Sequence, residues 1–138
     1  MLSNQTNKVL EKLVATYLSK GVQPSDIVDT MFEEHYVDMN IKKSSDSLVM
    51  TYSFEEVDDN DQINCISMKY TYSKSMYLQS VEQKVGKGRY KVQWDRSEDL
   101  KTTVKKLIQL TGSEDNLNQI IKTVPCEIQK FIKTPLVA

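Results

Sequence analysis

Two central stretches of the chain, residues 47–57 and 63–72, alternate apolar and polar side chains with a period of two. The apolar positions are the even-numbered ones: Leu48, Met50, Tyr52 and Phe54 in the first stretch, and Ile66, Met68, Tyr70 and Tyr72 in the second. A period of two is typical of a half-buried β-strand. The stretch between them, residues 58–62, is polar and rich in turn-forming residues, so the pattern predicts a β-hairpin.

The same pattern predicts the register of this hairpin. If Val57 pairs with Ile63, a five-residue loop is left and the numbers of paired residues sum to 120. Every apolar residue of one strand then lies opposite an apolar residue of the other, for example Met50 opposite Tyr70. A slip of one residue would set apolar against polar side chains along the whole hairpin.

Residues 76–85 fit either a strand or one face of a helix. The glycines of residues 86–88 follow, and residues 89–94 alternate again. A loop over 86–89 would place Val85 opposite Tyr90 and Val81 opposite Trp94, and this agreement favours the strand. It also assigns Tyr90, Val92 and Trp94 to the apolar face. Residues 37–41 alternate as well and predict an edge strand.

Helical spacing of apolar residues appears on both sides of these strands. Residues 5–20 predict an amphipathic helix, with Gly21 at its C-terminal cap. A second helix is predicted to start at Pro24, and its expected buried face is Ile27, Val28, Met31 and Phe32, extended by His35 or Tyr36.

A third helix is predicted to start near Ser97 and to end at Gly112. Its expected buried face is Leu100, Val104, Leu107, Ile108 and Thr111. Residues 113–124 and 128–132 predict one or two further helical segments. The predicted fold is therefore α+β, a single domain over residues 1–138. It has two N-terminal helices, a four- to five-stranded antiparallel meander and two to three C-terminal helices.

Composition narrows the class of protein. Apolar residues make up 39% of the chain and charged residues 27%, which is typical of a folded soluble domain. No apolar run reaches the roughly 18 residues of a membrane span, and the N-terminus lacks the apolar core of a signal peptide. Two cysteines, Cys65 and Cys126, lack metal-site spacing, so we expect free thiols in a reducing cytoplasm.

Catalytic and metal-binding residue sets are absent from the sequence. The one histidine, His35, follows Glu33 and Glu34, but a metal site usually needs several ligands in a closed arrangement. Residues 86–88 lack the glycine spacing of a phosphate or dinucleotide loop and are interpreted as a hairpin turn. We therefore expect no enzyme activity, no metal and no cofactor.

Charge is distributed unevenly along the chain. Residues 26–61 contain eleven acidic residues and two lysines, a net charge of −9, whereas residues 84–106 contain eight basic and three acidic residues, a net charge of +5. Three explanations are open. The two charged surfaces are solvated or neutralise each other; they bind a protein partner; or the basic segment binds single-stranded nucleic acid. The candidate binding residues are the acidic Glu55, Glu56, Asp58, Asp59 and Asp61 and the basic Lys87, Arg89, Lys91 and Arg96.

The predicted alternation argues against nucleic acid, because it places Tyr90 and Trp94 on the face opposite Arg89 and Lys91. A stacking platform needs rings and cations on the same exposed side. The favoured function is a small cytoplasmic, non-enzymatic module of the adaptor, chaperone or inhibitor type. It would bind another protein through the acidic loop or the sheet edge. The alternative is a nucleic-acid-binding accessory protein that uses residues 84–106. The sequence also leaves a homodimer open.

Overall fold

A computed structural model describes residues 3–112 together with residues 115, 118, 119 and 122. In chain order the elements are α1 (Asn4–Leu18), α2 (Pro24–Ile27), a 3₁₀ helix (Val28–Phe32), β1 (Tyr36–Lys43), β2 (Ser47–Val57), β3 (Ile63–Ser73), β4 (Leu78–Val85), β5 (Lys91–Asp95) and α3 (Arg96–Thr111). The α+β class and the antiparallel sheet are confirmed. The described residues form two compact units, a sheet unit of residues 20–96 and a helical unit that contains α1 and, from residue 97 on, α3. That these form a single domain stays a prediction.

The helical unit is built on the two amphipathic patterns. Ser3 caps α1 by accepting a hydrogen bond from Thr6 N through its hydroxyl. Gly112, with φ +81°, follows the last residue of α3, as predicted. The core between the two helices consists of Val9, Leu13, Leu100, Val104 and Leu107. The helical segments predicted beyond residue 112 lie outside the described residues.

The sheet unit is a five-stranded meander in the order β1-β2-β3-β4-β5. The predicted register of β2 and β3 is confirmed at every pair, from Val57 with Ile63 to Leu48 with Tyr72. The strand favoured over 76–85 is present as β4 (Leu78–Val85), and the edge strand predicted over 37–41 is present as β1 (Tyr36–Lys43). The even-numbered residues of β2 and β3 form the apolar face, and the odd-numbered ones form the polar face. The core on the apolar face consists of Ile27, Met50, Tyr52, Tyr72 and Leu78.

The register between β4 and β5 contains a bulge that the alternation did not predict. Val81 lies opposite Trp94, as predicted, but the next pair is Glu82 with Val92. The bulge therefore places one extra residue in β5, so the residues before it lie on the face opposite to the one that a regular strand would give them. The predicted pair of Val85 with Tyr90 is wrong, and Tyr90, Val92 and Trp94 do not share one face.

The predicted second helix is also wrong in part. One α-helical turn is followed by the 3₁₀ helix Val28–Phe32, in which residues four apart no longer share a face. Thr30 donates its hydroxyl hydrogen to Ile27 O, a local bond of the kind that competes with α-helical bonding. Ile27 is buried, but Val28 is exposed and Phe32 is 88% exposed.

Hydrogen bonds join residues 20–24 to the turn between β3 and β4. Tyr72 donates its hydroxyl hydrogen to Val22 O at 2.7 Å, Leu78 N donates to Lys20 O at 2.8 Å, and Gln23 Nε2 donates to Met76 O at 3.0 Å. Gly21 was predicted as a helix cap, but α1 already ends at Leu18. Its φ of +82° instead lets the backbone pass close to Leu78.

Candidate functional site

The hairpin of β2 and β3 extends beyond its neighbours in the sheet. Its last backbone contacts with adjacent segments are Glu55 N to His35 O and Gly86 N to Cys65 O, both 2.8 Å. Beyond them, residues 56–64, here called the hairpin tip, pair only with each other. The acidic loop predicted from the sequence lies at the end of this projection. A two-stranded projection of this kind presents both of its faces to the surroundings.

Asp58 organises the loop of the hairpin tip. Its Oδ1 accepts hydrogen bonds from Asn60 N and Gln62 N, both at 2.9 Å, and its Oδ2 accepts one from Asn64 Nδ2 at 3.3 Å. The bond from Gln62 N, followed by those from the other two donors, lowers the pKa of this carboxyl below its ordinary value. Asp61 takes a positive φ of +59° in the same loop. Of the five predicted acidic site residues, Asp58 therefore holds the loop conformation, and the other four are exposed.

Two apolar side chains are exposed within these acids. Val57 is 62% exposed and its partner Ile63 is 67% exposed, and both lie on the polar face. In the sequence, this pair pointed only to the register of the hairpin. A signal was nevertheless present in the sequence, because the edge strand predicted at 37–41 has only five residues and is too short to run beside the whole of residues 47–57. An exposed apolar pair ringed by charge is typical of a surface that another molecule covers.

Further acidic residues lie at the base of this projection. Glu33 and Glu34 are exposed and directly precede His35, whose carbonyl oxygen accepts the bond from Glu55 N. The exposed ring of Phe32 precedes them in the chain. The fold therefore brings the acids at 33–34 to the same end of the sheet as those at 55–61, which their separation in sequence did not reveal.

The predicted basic residues divide between two places. In a meander, the β2–β3 and β4–β5 connections lie at the same end of the sheet. Lys87, Arg89 and Lys91 are exposed at this end, on the β4–β5 side. Within residues 3–112 no ion pair joins them to the hairpin tip. The acidic residues of the hairpin tip and these basic residues thus lie at the same end of the sheet without forming direct ion pairs.

Arg96 lies elsewhere, at the other end of β5. It is only 8% exposed, and its Nε donates to Leu78 O at 2.6 Å. Its guanidinium group lies 5.4 Å from the ring of Tyr77 and 5.5 Å from that of Trp94. Including Arg96 in an exposed basic surface was therefore wrong, because this cation is buried between aromatic rings.

The bulge separates Tyr90 from Trp94. Trp94 packs against the core of the apolar face, as predicted. The Tyr90 ring lies 5.3 Å from Lys69 Nζ and 5.0 Å from Lys84 Nζ, and these two lysines belong to the polar face. The cations on the same side as Tyr90 are therefore Lys69 and Lys84, whereas Lys91 pairs with Gln83 on the other face.

A cleft of about 520 Å³ lies at the opposite end of the sheet, between the β1–β2 and β3–β4 turns. Its apolar lining comes from Leu48, Tyr72 and Met76, and Lys43 and Lys74 also line it. Burial, together with the nearby Tyr70 and Asp26, raises the pKa of Tyr72 to about 12. No sequence motif pointed to this cleft. In the described part of the chain, every fully buried side-chain nitrogen or oxygen has a hydrogen-bond partner.

His35 lies on the surface, where its Nε2 is 3.5 Å from a carboxylate oxygen of Glu33. No group of three or more metal-ligating side chains occurs among the residues with described positions. The same residues contain no helix that is long and apolar enough to traverse a bilayer. Comparisons with protein-family models, curated proteins and solved structures gave no match to this chain. Its function therefore has to be argued from its own residues.

Proposed function

We propose that this chain is a non-enzymatic protein-binding module, of the adaptor, chaperone or inhibitor type, that acts in the cytoplasm. Its contact surface is the hairpin tip, and its partner presents a basic surface with an apolar recess. The observation that carries the proposal is the exposed pair of Val57 and Ile63 at the end of a projecting hairpin, with acidic residues next to it in the chain at 55–56, 58–59 and 61.

Three features of the tip support this role. Its loop is held in one conformation by Asp58, so little conformational entropy is lost on binding. Val57 and Ile63 supply apolar area that a partner can remove from water. The acids around them attract a basic partner and accelerate its association at low salt. No ion pair within residues 3–112 neutralises Glu55, Glu56, Asp59 or Asp61.

The test uses three forms of the immobilised chain: the wild type, a Val57→Ser/Ile63→Ser double variant and a Val92→Ser control. Val92 is also an exposed strand valine, at 63%, but it lies on β5 away from the tip. A true partner is retained by the wild type and the control and lost by the double variant. With that partner purified, we expect the double variant to raise Kd at least about tenfold.

Salt dependence gives a second readout. Raising the ionic strength should weaken binding of the wild type, and Glu55→Lys/Glu56→Lys should weaken it further at low salt. If the double variant retains the same partners with unchanged Kd, the hairpin tip is not the contact surface and the proposal is refuted.

Tyr90 supports a second candidate function, a nucleic-acid-binding accessory protein. Its ring lies with Lys69 and Lys84 on the polar face, so an aromatic ring and cations share one side as base stacking requires. Replacing Lys69 and Lys84 with glutamine should then lower affinity for a single-stranded oligonucleotide and flatten its salt dependence. A chain that retains no oligonucleotide at low salt rules this candidate out.

A further inference from the structure

Within residues 3–112, no strand pairs with the outer side of β1. β1 is an edge strand whose described partner strand is β2. Ser44 N donates to Ser47 O, which fixes the alternation of hydrogen bonds between the two strands. Asn40 and the other even-numbered residues therefore direct their N–H and C=O groups toward β2. The same groups of Met39 and Ile41 point away from the sheet, where they form a template for a further strand.

The side chains of β1 are self-complementary. Asp38, Asn40 and Lys42 share the polar face and are all exposed. Met39 packs against the core on the apolar face, and Ile41 on that face is 49% exposed. Neither Asp38 nor Lys42 forms an ion pair within residues 3–112. One short strand thus carries one acid and one base at equal distances from Asn40.

We propose that β1 pairs with β1 of a second copy of this chain, antiparallel and centred on Asn40, so that the two sheets become continuous. In this register Asp38 lies opposite the partner's Lys42, and Met39 lies opposite the partner's Ile41. Two-fold symmetry repeats each pair once. The proposal uses the outer edge of β1 rather than the hairpin tip, and it does not rest on the proposed function.

The backbone geometry agrees with this register. The Met39 and Ile41 groups point outward, so each pair of Met39 with the partner's Ile41 exchanges two hydrogen bonds. The charged pair then falls at a position without backbone hydrogen bonds, where opposite side chains lie closest. Ile41, which is half exposed in one copy, gains an apolar neighbour and extends the core of the apolar face across the junction.

Other registers lose these contacts. Centring the pair on Asp38 or on Lys42 sets like charges opposite each other, which destabilises an antiparallel pair. Centring it on Met39 or on Ile41 leaves both charges without a partner. A bulge between Tyr36 and Asp38 ends the regular part of β1, so the pairing is confined to residues 38–42. We therefore expect a dimer that forms reversibly and depends on concentration.

Charge exchange tests the register. Analytical ultracentrifugation of the wild type should show a concentration-dependent dimer. Asp38→Lys should raise its dissociation constant about tenfold, because two attractive pairs become repulsive, and Lys42→Asp should do the same. The double variant Asp38→Lys/Lys42→Asp restores both pairs and should return the constant to the wild-type value. Asp46→Lys, at an exposed position in the β1–β2 turn, makes the same charge change outside the pairing and should have no effect.

Disulfide trapping gives an independent readout. In a chain with Cys65 and Cys126 replaced by serine, Asn40→Cys places two thiols opposite each other at the symmetry axis, within disulfide reach. Asp38→Cys sits on the same face of the same strand, but its two copies lie about 13 Å apart. Asn40→Cys should therefore form a covalent dimer much faster than Asp38→Cys under mild oxidation.

A wild type that stays monomeric at all concentrations overturns the proposal. The proposal is also overturned if the charge variants leave the dissociation constant of the dimer unchanged and the two cysteine variants form disulfides at equal rates, because the interface would then lie elsewhere. Circular dichroism of each variant confirms that the sheet is intact, which we expect because these side chains are exposed.

Discussion

The close approach of Gly21 to β4 gives the sharpest stability prediction. A Cβ added at Gly21 would lie 2.9 Å from Leu78 Cβ and 3.2 Å from Leu78 Cδ2. Leu78 cannot easily move away, because it is buried in the core and its backbone nitrogen donates to Lys20 O at 2.8 Å. Gly21→Ala should therefore combine two penalties, one from the backbone conformation and one from the steric clash.

The magnitude follows from the two penalties. An alanine at a φ of +82° costs about 1–2 kcal/mol relative to glycine, and overpacking a buried contact costs about 1–3 kcal/mol. We expect Gly21→Ala to lower the free energy of unfolding by about 2–5 kcal/mol. Gly86 is the matched control, because its φ is +56° but no atom lies within 4 Å of the added Cβ. Gly86→Ala should show the first penalty alone, about 1–2 kcal/mol.

Urea unfolding followed by fluorescence measures both variants. Trp94 is the single tryptophan, and it packs against the core of the sheet unit, so its emission reports on the unit that contains both glycines. Similar m-values in the three proteins would justify comparing their free energies. If Gly21→Ala costs no more than Gly86→Ala, the contact between Gly21 and Leu78 is not as close as described, and the reasoning fails.

Three further predictions concern single side chains. The pKa of Asp58 is lowered, so its carboxylate stabilises the hairpin tip fully above about pH 4, and this stabilisation is lost as the pH falls below that value. At low pH the Gln62 amide should therefore lose its protection from hydrogen exchange. Asp58→Ala should cause the same loss at neutral pH. Burial raises the pKa of Tyr72 to about 12, so the contribution of its neutral hydroxyl to the free energy of unfolding should be complete below about pH 10 and fall as the pH rises toward 12. A titration in which all tyrosines ionise near pH 10 while the protein stays folded would contradict this. Arg96→Lys removes the Nε donor to Leu78 O and the stacking on two rings, and should cost about 1–3 kcal/mol in the same urea assay, whereas Arg89→Lys on the surface should change it by less than about 0.5 kcal/mol.

The register of β2 and β3 could be predicted from the sequence because both strands present one apolar face over eleven residues each. With a side-chain period of two, any odd slip would expose that whole face, so the hydrophobic pattern allows few pairings. The acidic loop was found for a related reason, since its polar residues lie between two strongly patterned strands. Its position at the end of a projection follows from strand lengths and was not deduced.

The bulge in β5 could not be predicted, because the alternation of Tyr90, Val92 and Trp94 is compatible with a regular strand. The bulge lets Trp94 reach the core while Tyr90 lies beside Lys69 and Lys84, and a local pattern does not record such a three-dimensional contact. The 3₁₀ helix was missed for a similar reason. Apolar residues at helical spacing predicted a buried face there, but the α-helix ends after one turn at Ile27.

The meander topology has a consequence for how the sheet unit assembles. Each strand bonds to the strand beside it in sequence, so each step closes only a short loop, at little cost in chain entropy. The link between Tyr72 and Val22 spans 50 positions, and its closure becomes inexpensive once the strands are in place. Sequence-local pairing favours rapid folding. It also shortens the time for which nascent strands are available to neighbouring molecules, and with it the risk of aggregation during synthesis.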